Sequence, residues 1–197
     1  MSNESSEMIE SVRTTLLESA QLKLRMADVL AEQISELASR VTDTYKNGGR
    51  VIVFGNGGSA ADAMHLASEL VGRYDRDRKA LPAIALTTDT STITSVSNDF
   101  GYEHVFARQV EAHAKSSDLV LGITTSGNST NVIAGIEAAK KIGSFTAVLT
   151  GRGGGKIAAL ADLTVVVPND VTARIQEAHA VIIHIICEQV DQWLLGS

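Results

Sequence analysis

The chain has 197 residues, a net charge of −6, 4% aromatic residues and one cysteine, Cys187. That length suits one domain burying roughly 70% of its unfolded surface, and a lone cysteine excludes an internal disulfide and points to a reducing compartment. The acidic balance and scarce aromatics argue against nucleic acid. Met1–Glu7 is unlike a secretory signal and no run of about 18 apolar residues could cross a membrane, so a cytoplasmic globular protein is expected.

Between Ser5 and Lys46 there is neither glycine nor proline, and apolar residues recur at three- and four-residue spacing. Ile9, Val12, Leu16 and Ala20 form one row; Leu30, Ile34, Leu37 and Val41 form another. The periodicity predicts helix. One run of this length is long for a globular domain, so two helices with a break near Met26–Asp28 are expected, closed by Asn47-Gly48-Gly49. With apolar residues on more than one face, segment 1–47 is expected to pack on the core and to build a homo-oligomer.

The remainder, 48–197, reads as one compact unit. Strand-like runs at Val51–Phe54, Ala83–Leu86, Leu119–Ile123, Phe145–Leu149 and Leu163–Val167 alternate with helical stretches. These lie near Ser59–Arg73, Glu103–Ala114, Ser129–Ile142 and Lys156–Ala161, with a last long helix over Ala173–Leu194. Nearly continuous apolar strands between helices predict an α/β three-layer αβα sandwich around a five-stranded parallel sheet. Right-handed crossovers then gather the loops after the strands on one edge.

Two of those loops carry the chemistry. Gly55-Asn56-Gly57-Gly58-Ser59 follows the first strand, and Thr124-Thr125-Ser126-Gly127-Asn128-Ser129 follows the third; neither contains lysine. Helix N-termini present free N–H groups and partial positive charge, so such loops seat anions. The hydroxyls of Thr124, Thr125, Ser126 and Ser129 add neutral donors suited to a phosphate monoester. A nucleoside triphosphate loop would need G-x-x-x-x-G-K-[ST], which is absent. Gly151-Arg152-Gly153-Gly154-Gly155-Lys156 fails that pattern at Thr150 and Ile157, and reads as a flexible loop before a helix. Gly55-x-Gly57-x-x-Ala60 matches the dinucleotide fingerprint, but Asp89, its nearest acidic partner, lies too far along the chain. A binder of a small phosphorylated metabolite is expected.

Other candidates follow from spacing. His65 and Glu69 share a helix face at i and i+4, so imidazole and carboxylate can meet at one ion or substrate. Gln176, Ala180 and His184 form an i, i+4, i+8 row, with a gap over Ala180. Taken alone, His184 in the apolar run Val181–Ile186 reads as a core histidine, and His179, His104 and His113 carry no signal. Asn98-Asp99 reads equally as an Asx turn or as polar contacts for a sugar.

Taken together, these stretches resemble the sugar isomerase (SIS) family, in its sedoheptulose-7-phosphate isomerase branch. The resemblance spans almost the whole chain and rests on several ordered motifs. They are Gly55–Ser59, His65 to Glu69, Leu70-Val71-Gly72-Arg73-Tyr74, Asn98-Asp99-Phe100-Gly101-Tyr102, Thr125–Ser129, and Arg174-Ile175-Gln176-Glu177 with His184. Thr124 stands where the family commonly has Ser, and Ala173 where some members have Asp.

The resemblance implies an SIS, flavodoxin-like fold and a homotetramer with active sites at subunit interfaces. It implies one Zn2+ per subunit held by His65, Glu69, Gln176 and His184. Substrate contacts are expected on Asn56, Gly57, Gly58, Glu69, Asn98, Asp99, Thr124, Thr125, Ser126, Ser129 and Gln176. The implied reaction converts sedoheptulose 7-phosphate to D-glycero-D-manno-heptopyranose 7-phosphate through an enediol. Glu69 is assigned as base and His184 as acid, with the product feeding nucleotide-activated heptose and lipopolysaccharide. A non-catalytic relative binding a phosphosugar or a replication-initiator protein is the competing reading; the presence of both Glu69 and His184 favours the enzyme.

Overall fold

The computed structural model describes residues 3–196; Met1, Ser2 and Ser197, the outer ends of the two expected segments, lie outside the described residues. Five parallel strands, β1 (Val51–Gly55), β2 (Ala83–Ala85), β3 (Leu119–Thr124), β4 (Phe145–Thr150) and β5 (Leu163–Val166), form one sheet in the order β2-β1-β3-β4-β5. Val51 stands opposite Ala83 and Leu119, and Ala147 opposite Leu163. Every residue of β1 and β3 is buried, as a sheet covered on both faces requires.

Six helices cover that sheet: α1 (Asn3–Lys46), α2 (Gly58–Val71), α3 (Thr90–Phe100), α4 (Val105–His113), α5 (Thr130–Ile142) and α6 (Thr172–Leu195). Leu37 and Val41 of α1, Leu66 and Leu70 of α2, and Ile182 and Ile186 of α6 pack on one face. Val96 of α3, Phe106 and Val110 of α4, and Val132 and Ile136 of α5 pack on the other. The expected αβα sandwich is therefore the fold.

Adjacent strands β1 and β3 thus send their following helices to opposite faces. The crevice between their carboxyl ends is the switch point where open α/β sheets bind ligands, and both glycine- and hydroxyl-bearing loops open into it.

The N-terminal segment differs from expectation. It is a single 44-residue helix with no break at Met26–Asp28. Its buried series Leu22, Met26, Leu30, Ile34, Leu37, Ala38 and Val41 runs straight through that point, and no glycine or proline interrupts it. The two apolar rows separate: the second lies in the core, whereas Ile9, Val12 and Leu16 are 49%, 55% and 65% exposed.

Three further differences are local. The stretch before Asn98 is α3, whose last turn contains Asn98 and Asp99. Glu103–Ala114 begins as a 3-10 turn, Tyr102–His104, before α4. The helix expected at Lys156–Ala161 is a 3-10 turn over Lys156–Ala159, entered from the positive-φ glycines Gly153, Gly154 and Gly155. Asp89 caps α3, accepting the Thr92 N–H at 3.1 Å and the Thr92 hydroxyl at 2.6 Å. Those bonds hold its carboxyl below the usual range and leave it no ribose to grip.

Candidate active site

The first loop turns on Gly57, whose φ of 57° and ψ of −120° suit only glycine. No side chain caps α2 behind it, and none caps α5 behind the second loop. At α2 the loop's own carbonyls take the first-turn N–H groups, Ser59 N–H donating to Asn56 O and Ala60 N–H to Gly57 O, each at 3.0 Å. A helix start without a side-chain cap is suited to an anion.

A pair of amides joins the two loops. Asn56 Nδ2 donates to Asn131 Oδ1 at 2.8 Å, and Asn131 Nδ2 donates back to Asn56 Oδ1 at 2.9 Å. The Tyr102 hydroxyl also donates to Asn56 Oδ1, at 2.9 Å. Asn56, expected as a substrate contact, therefore has both side-chain ends engaged in locking one loop to the other. Asn131 was not foreseen, because a lone Asn in the first turn of a helix looks like any solvated polar residue. The role of Tyr102 emerges only from this tertiary contact. A cavity of about 140 Å³ lined by Asn56, Gly57, Thr87 and Tyr102 lies beside this lock.

The hydroxyl loop is held from behind. Thr124 is buried and shares a hydrogen bond with Ser129, Oγ1 to Oγ at 3.1 Å. Ser126 Oγ accepts the Asn128 N–H at 3.2 Å. Thr125 and Ser126 are half-buried. The segment Gly151–Gly155, expected as a flexible loop, is a rigid buttress against this turn. Ile157 N–H donates to Gly127 O and Lys156 N–H to Asn128 Oδ1, each at 3.1 Å. A Cβ on Gly155 would stand 2.6 Å from the carbonyl of Gly127. Arg152, held at φ 48°, donates from Nε to Asp170 O at 3.0 Å and from Nη2 to Thr172 Oγ1 at 2.9 Å. The buttress thereby joins the hydroxyl loop to the start of α6.

The Arg174–Glu177 motif then divides its labour around that helix. Arg174 donates to Thr15 O and pairs with Glu177, which accepts the Ser19 hydroxyl at 2.7 Å, so these two residues fasten α1. Ile175 fills the space over Gly151. Gln176 faces the first loop, its amide occupying the place where a Gly58 side chain would be.

Two turns further along α6, His184 meets α2. It is exposed, whereas His179 is the buried histidine of this helix. His184 Nε2 lies 3.4 Å from His65 Nε2, and His65 Nε2 lies 3.3 Å from Glu69 Oε1. The imidazoles meet edge to face at 4.9 Å between centroids, and Tyr74 flanks His184 at 5.7 Å. The structure therefore brings His65, Glu69 and His184 together. Asn98 and Asp99 stand apart from this cluster in their bonding: both are exposed, and Asn98 Nδ2 donates to Asp99 Oδ1 at 2.8 Å.

The donor set fits a zinc ion in part. Imidazole nitrogen and carboxylate oxygen bound tetrahedrally at about 2.0–2.1 Å stand about 3.3–3.4 Å apart, the two separations found here. Among the described residues no three His, Cys, Asp or Glu side chains form a closed metal cage, and Gln176 is turned to Gly58. The two separations supply two edges of a tetrahedron rather than a finished site.

His179 plays a different part. Its Nε2–H donates to Thr150 O at 3.3 Å, and its buried Nδ1 has no partner. Burial pushes its pKa down to about 4, so it is neutral at pH 7.

The family model described as SIS domain matches residues 16–151. A phosphoheptose isomerase of Aquifex aeolicus is 50% identical over 94% of this chain and 97% of its own length. One from a Geobacter species is 46% identical over 95% and 97%. Among solved structures, the Neisseria gonorrhoeae phosphoheptose isomerase GmhA aligns with a TM-score of 0.90 at 42% identity, covering 94% of this chain and 99% of that one. A phosphoheptose isomerase from Francisella tularensis aligns with a TM-score of 0.91 at 37% identity, covering 94% and 98%. The model spans more than half of the chain and the relatives match nearly all of it: the chain belongs to the SIS domain family.

Proposed function

We infer that this chain is a phosphoheptose isomerase, an aldose–ketose isomerase converting sedoheptulose 7-phosphate to D-glycero-D-manno-heptopyranose 7-phosphate. The observation that carries the residue assignment is the meeting of Glu69 and His184 across His65, beside two linked anion loops.

The phosphate is seated by the second loop, with Thr124, Thr125, Ser126 and Ser129 and the amides opening α5 as donors. Gly57, Gly58 and Gln176 contact the sugar where α6 crosses the first loop, Asn56 holds that loop in place, and Asn98 and Asp99 reach the sugar hydroxyls. This orients the carbon chain toward α2 and α6. Glu69 takes a proton from C1, the C–H electrons form the C1–C2 double bond, and the C2–O2 π pair moves onto O2, giving the enediolate. His184 delivers a proton to C2, while the O1 proton passes to O2 and C1 becomes the aldehyde. Solvent exchange then returns Glu69 and His184 to their starting charge states.

His65, Glu69, Gln176 and His184 are the residues that would hold zinc. Bound there, the ion would polarise the carbonyl oxygen and favour the negative charge that develops on it. A carboxylate fully engaged by a metal is a weak base, so Glu69 would serve as base only if loosely held by the ion.

The assembly in this reading is a cytoplasmic homotetramer. It is supported by the exposed row on α1 and by an apolar groove of about 410 Å³ between α1 and α6, lined by Met26, Ile34, Val181 and Ile185. No helix is long and apolar enough to cross a membrane among the described residues. The product supplies nucleotide-activated heptose for lipopolysaccharide or a related glycoconjugate.

The test is incubation with sedoheptulose 7-phosphate followed by NMR of the product. Appearance of the manno-heptose 7-phosphate, absent with Glu69→Gln, is the expected result; an unchanged ketose with the metal-replete protein overturns it.

A further inference from the structure

Asp191 lies two turns beyond His184 on α6, toward the end of α2 that bears Glu69. Its side chain is 6% exposed and that of Arg78 only 1%; Arg78 Nε donates to Asp191 Oδ1 at 2.6 Å. Asp191 Oδ2 accepts the Asp75 N–H at 3.2 Å. The other arms of the guanidinium reach backbone carbonyls: Nη2 donates to Glu69 O at 2.6 Å, and Nη1 to Leu70 O at 2.9 Å and Lys79 O at 3.2 Å. Glu69 and Leu70 belong to the last turn of α2, where carbonyls have no partner within the helix. A cation there also complements the helix dipole.

One buried ion pair therefore connects the main chain of Glu69 to the helix that carries His184. Stability alone is a weak reason for such a pair. Removing two charges from water offsets most of their attraction, and apolar side chains of similar volume hold helices together as well or better. Apolar side chains cannot grip the Glu69 carbonyl.

We propose that Arg78 and Asp191 are positioning residues for the isomerisation, fixing the last turn of α2 so that Glu69 stands correctly against His184. This rests on the assignment of Glu69 and His184 as the acid–base pair. Both residues act at a distance from the loops that seat phosphate, so they govern turnover rather than grip. Displacing a catalytic group by about 1 Å costs roughly a hundredfold in rate.

The experiment compares the full-length R78M/D191L double variant with R78K, D191N and E69Q. It measures Tm, kcat and KM for sedoheptulose 7-phosphate, and the inhibition constant of inorganic phosphate. The double variant is expected to keep its Tm and its phosphate constant, and to lose roughly 10- to 100-fold in kcat. R78K, which keeps the charge pair but loses part of the fork to the carbonyls, is expected to fall between it and the parent at unchanged phosphate constant, whereas D191N leaves the buried guanidinium without its counter-charge and is expected to lower both Tm and kcat at unchanged phosphate constant. A double variant with parental Tm and kcat within about threefold of the parent overturns the proposal. If the double variant does not fold, R78K and D191N decide, and parental kcat in both overturns it. Activity in E69Q would overturn the acid–base assignment itself; an inactive E69Q beside fully active clamp variants removes the positioning role alone.

Discussion

Gly58 and Gln176 compete for one volume: the first residue of α2 has no side chain, and the Gln176 amide from α6 lies where one would begin. A Cβ there would stand 2.7 Å from Gln176 Cδ and collide with Nε2. The obstructing atoms are the free end of a flexible side chain, so Gly58→Ala is expected to fold with a Tm equal to or above the parent, since Ala also favours helix. Gln176 would be driven off the loop, lowering kcat/KM at least about tenfold. Thermal melts beside steady-state kinetics check this; parental kinetics would show that the contact has no bearing on turnover.

Glu69→Gln keeps the shape of the side chain and removes the base. Turnover should drop by about a thousandfold, within the range for loss of a general base, while inhibition by inorganic phosphate stays unchanged. Product NMR and phosphate titration separate the two effects, and substantial residual isomerisation would refute Glu69 as the base.

Removing metal with a chelator should lower activity, and Zn2+ should restore it. His65→Ala should reduce bound zinc measured by elemental analysis, with the fold intact by circular dichroism. Full activity in protein shown to hold no zinc would remove the ion from the reaction.

Gly155→Ala attacks the hydroxyl loop from behind. Its φ of 57° disfavours any side chain, and the new Cβ would press on the main chain of Gly127 and Ser126 at 2.6 Å. Because backbone cannot swing aside, a loss of several degrees in Tm is expected, with KM raised about tenfold and kcat less affected. An unchanged KM would mean that the buttress does not shape the phosphate seat.

His179 should set an acid limit on stability. Burial lowers its folded pKa to about 4, below the ordinary 6.5. Between those values the unfolded chain binds a proton that the folded chain does not, so stability falls as pH drops from about 6.5 to about 4. The penalty is on the order of 3 kcal/mol when complete. His179→Leu should flatten that part of the Tm-versus-pH curve at little cost at pH 7, because Thr150 O also accepts the Val167 N–H. A parallel curve in the variant would assign the acid sensitivity elsewhere.

The strands were legible because each is an almost unbroken apolar run, and the two loops because glycine and hydroxyl residues directly followed those runs. The motif spacing placed His65 and Glu69 on one face of α2, and the structure brings His184 to them. What spacing could not provide was the partner of each polar group. Asn56, Asn131 and Tyr102 come from three separate stretches, and only the folded chain reveals their mutual bonds. Arg78 and Asp191 are likewise 113 residues apart, and each alone resembles an ordinary surface charge. Length alone suggests a break in α1, whereas the unbroken burial series running through Met26 holds it as one helix. Gly151–Gly155 suggests a loose loop because glycine frees an isolated chain, but glycine also permits the closest packing of main chain on main chain.

The strand order has one more consequence. Since α2 and α5 depart to opposite sides of the sheet, the phosphate common to all sugar phosphates and the reacting carbons are assigned, in the proposed reading, to different layers. Changes on the α2 and α6 side could retune which carbon skeleton is accepted while the inherited anchor persists. Such a division lets one scaffold diversify its repertoire without having to reinvent its handle.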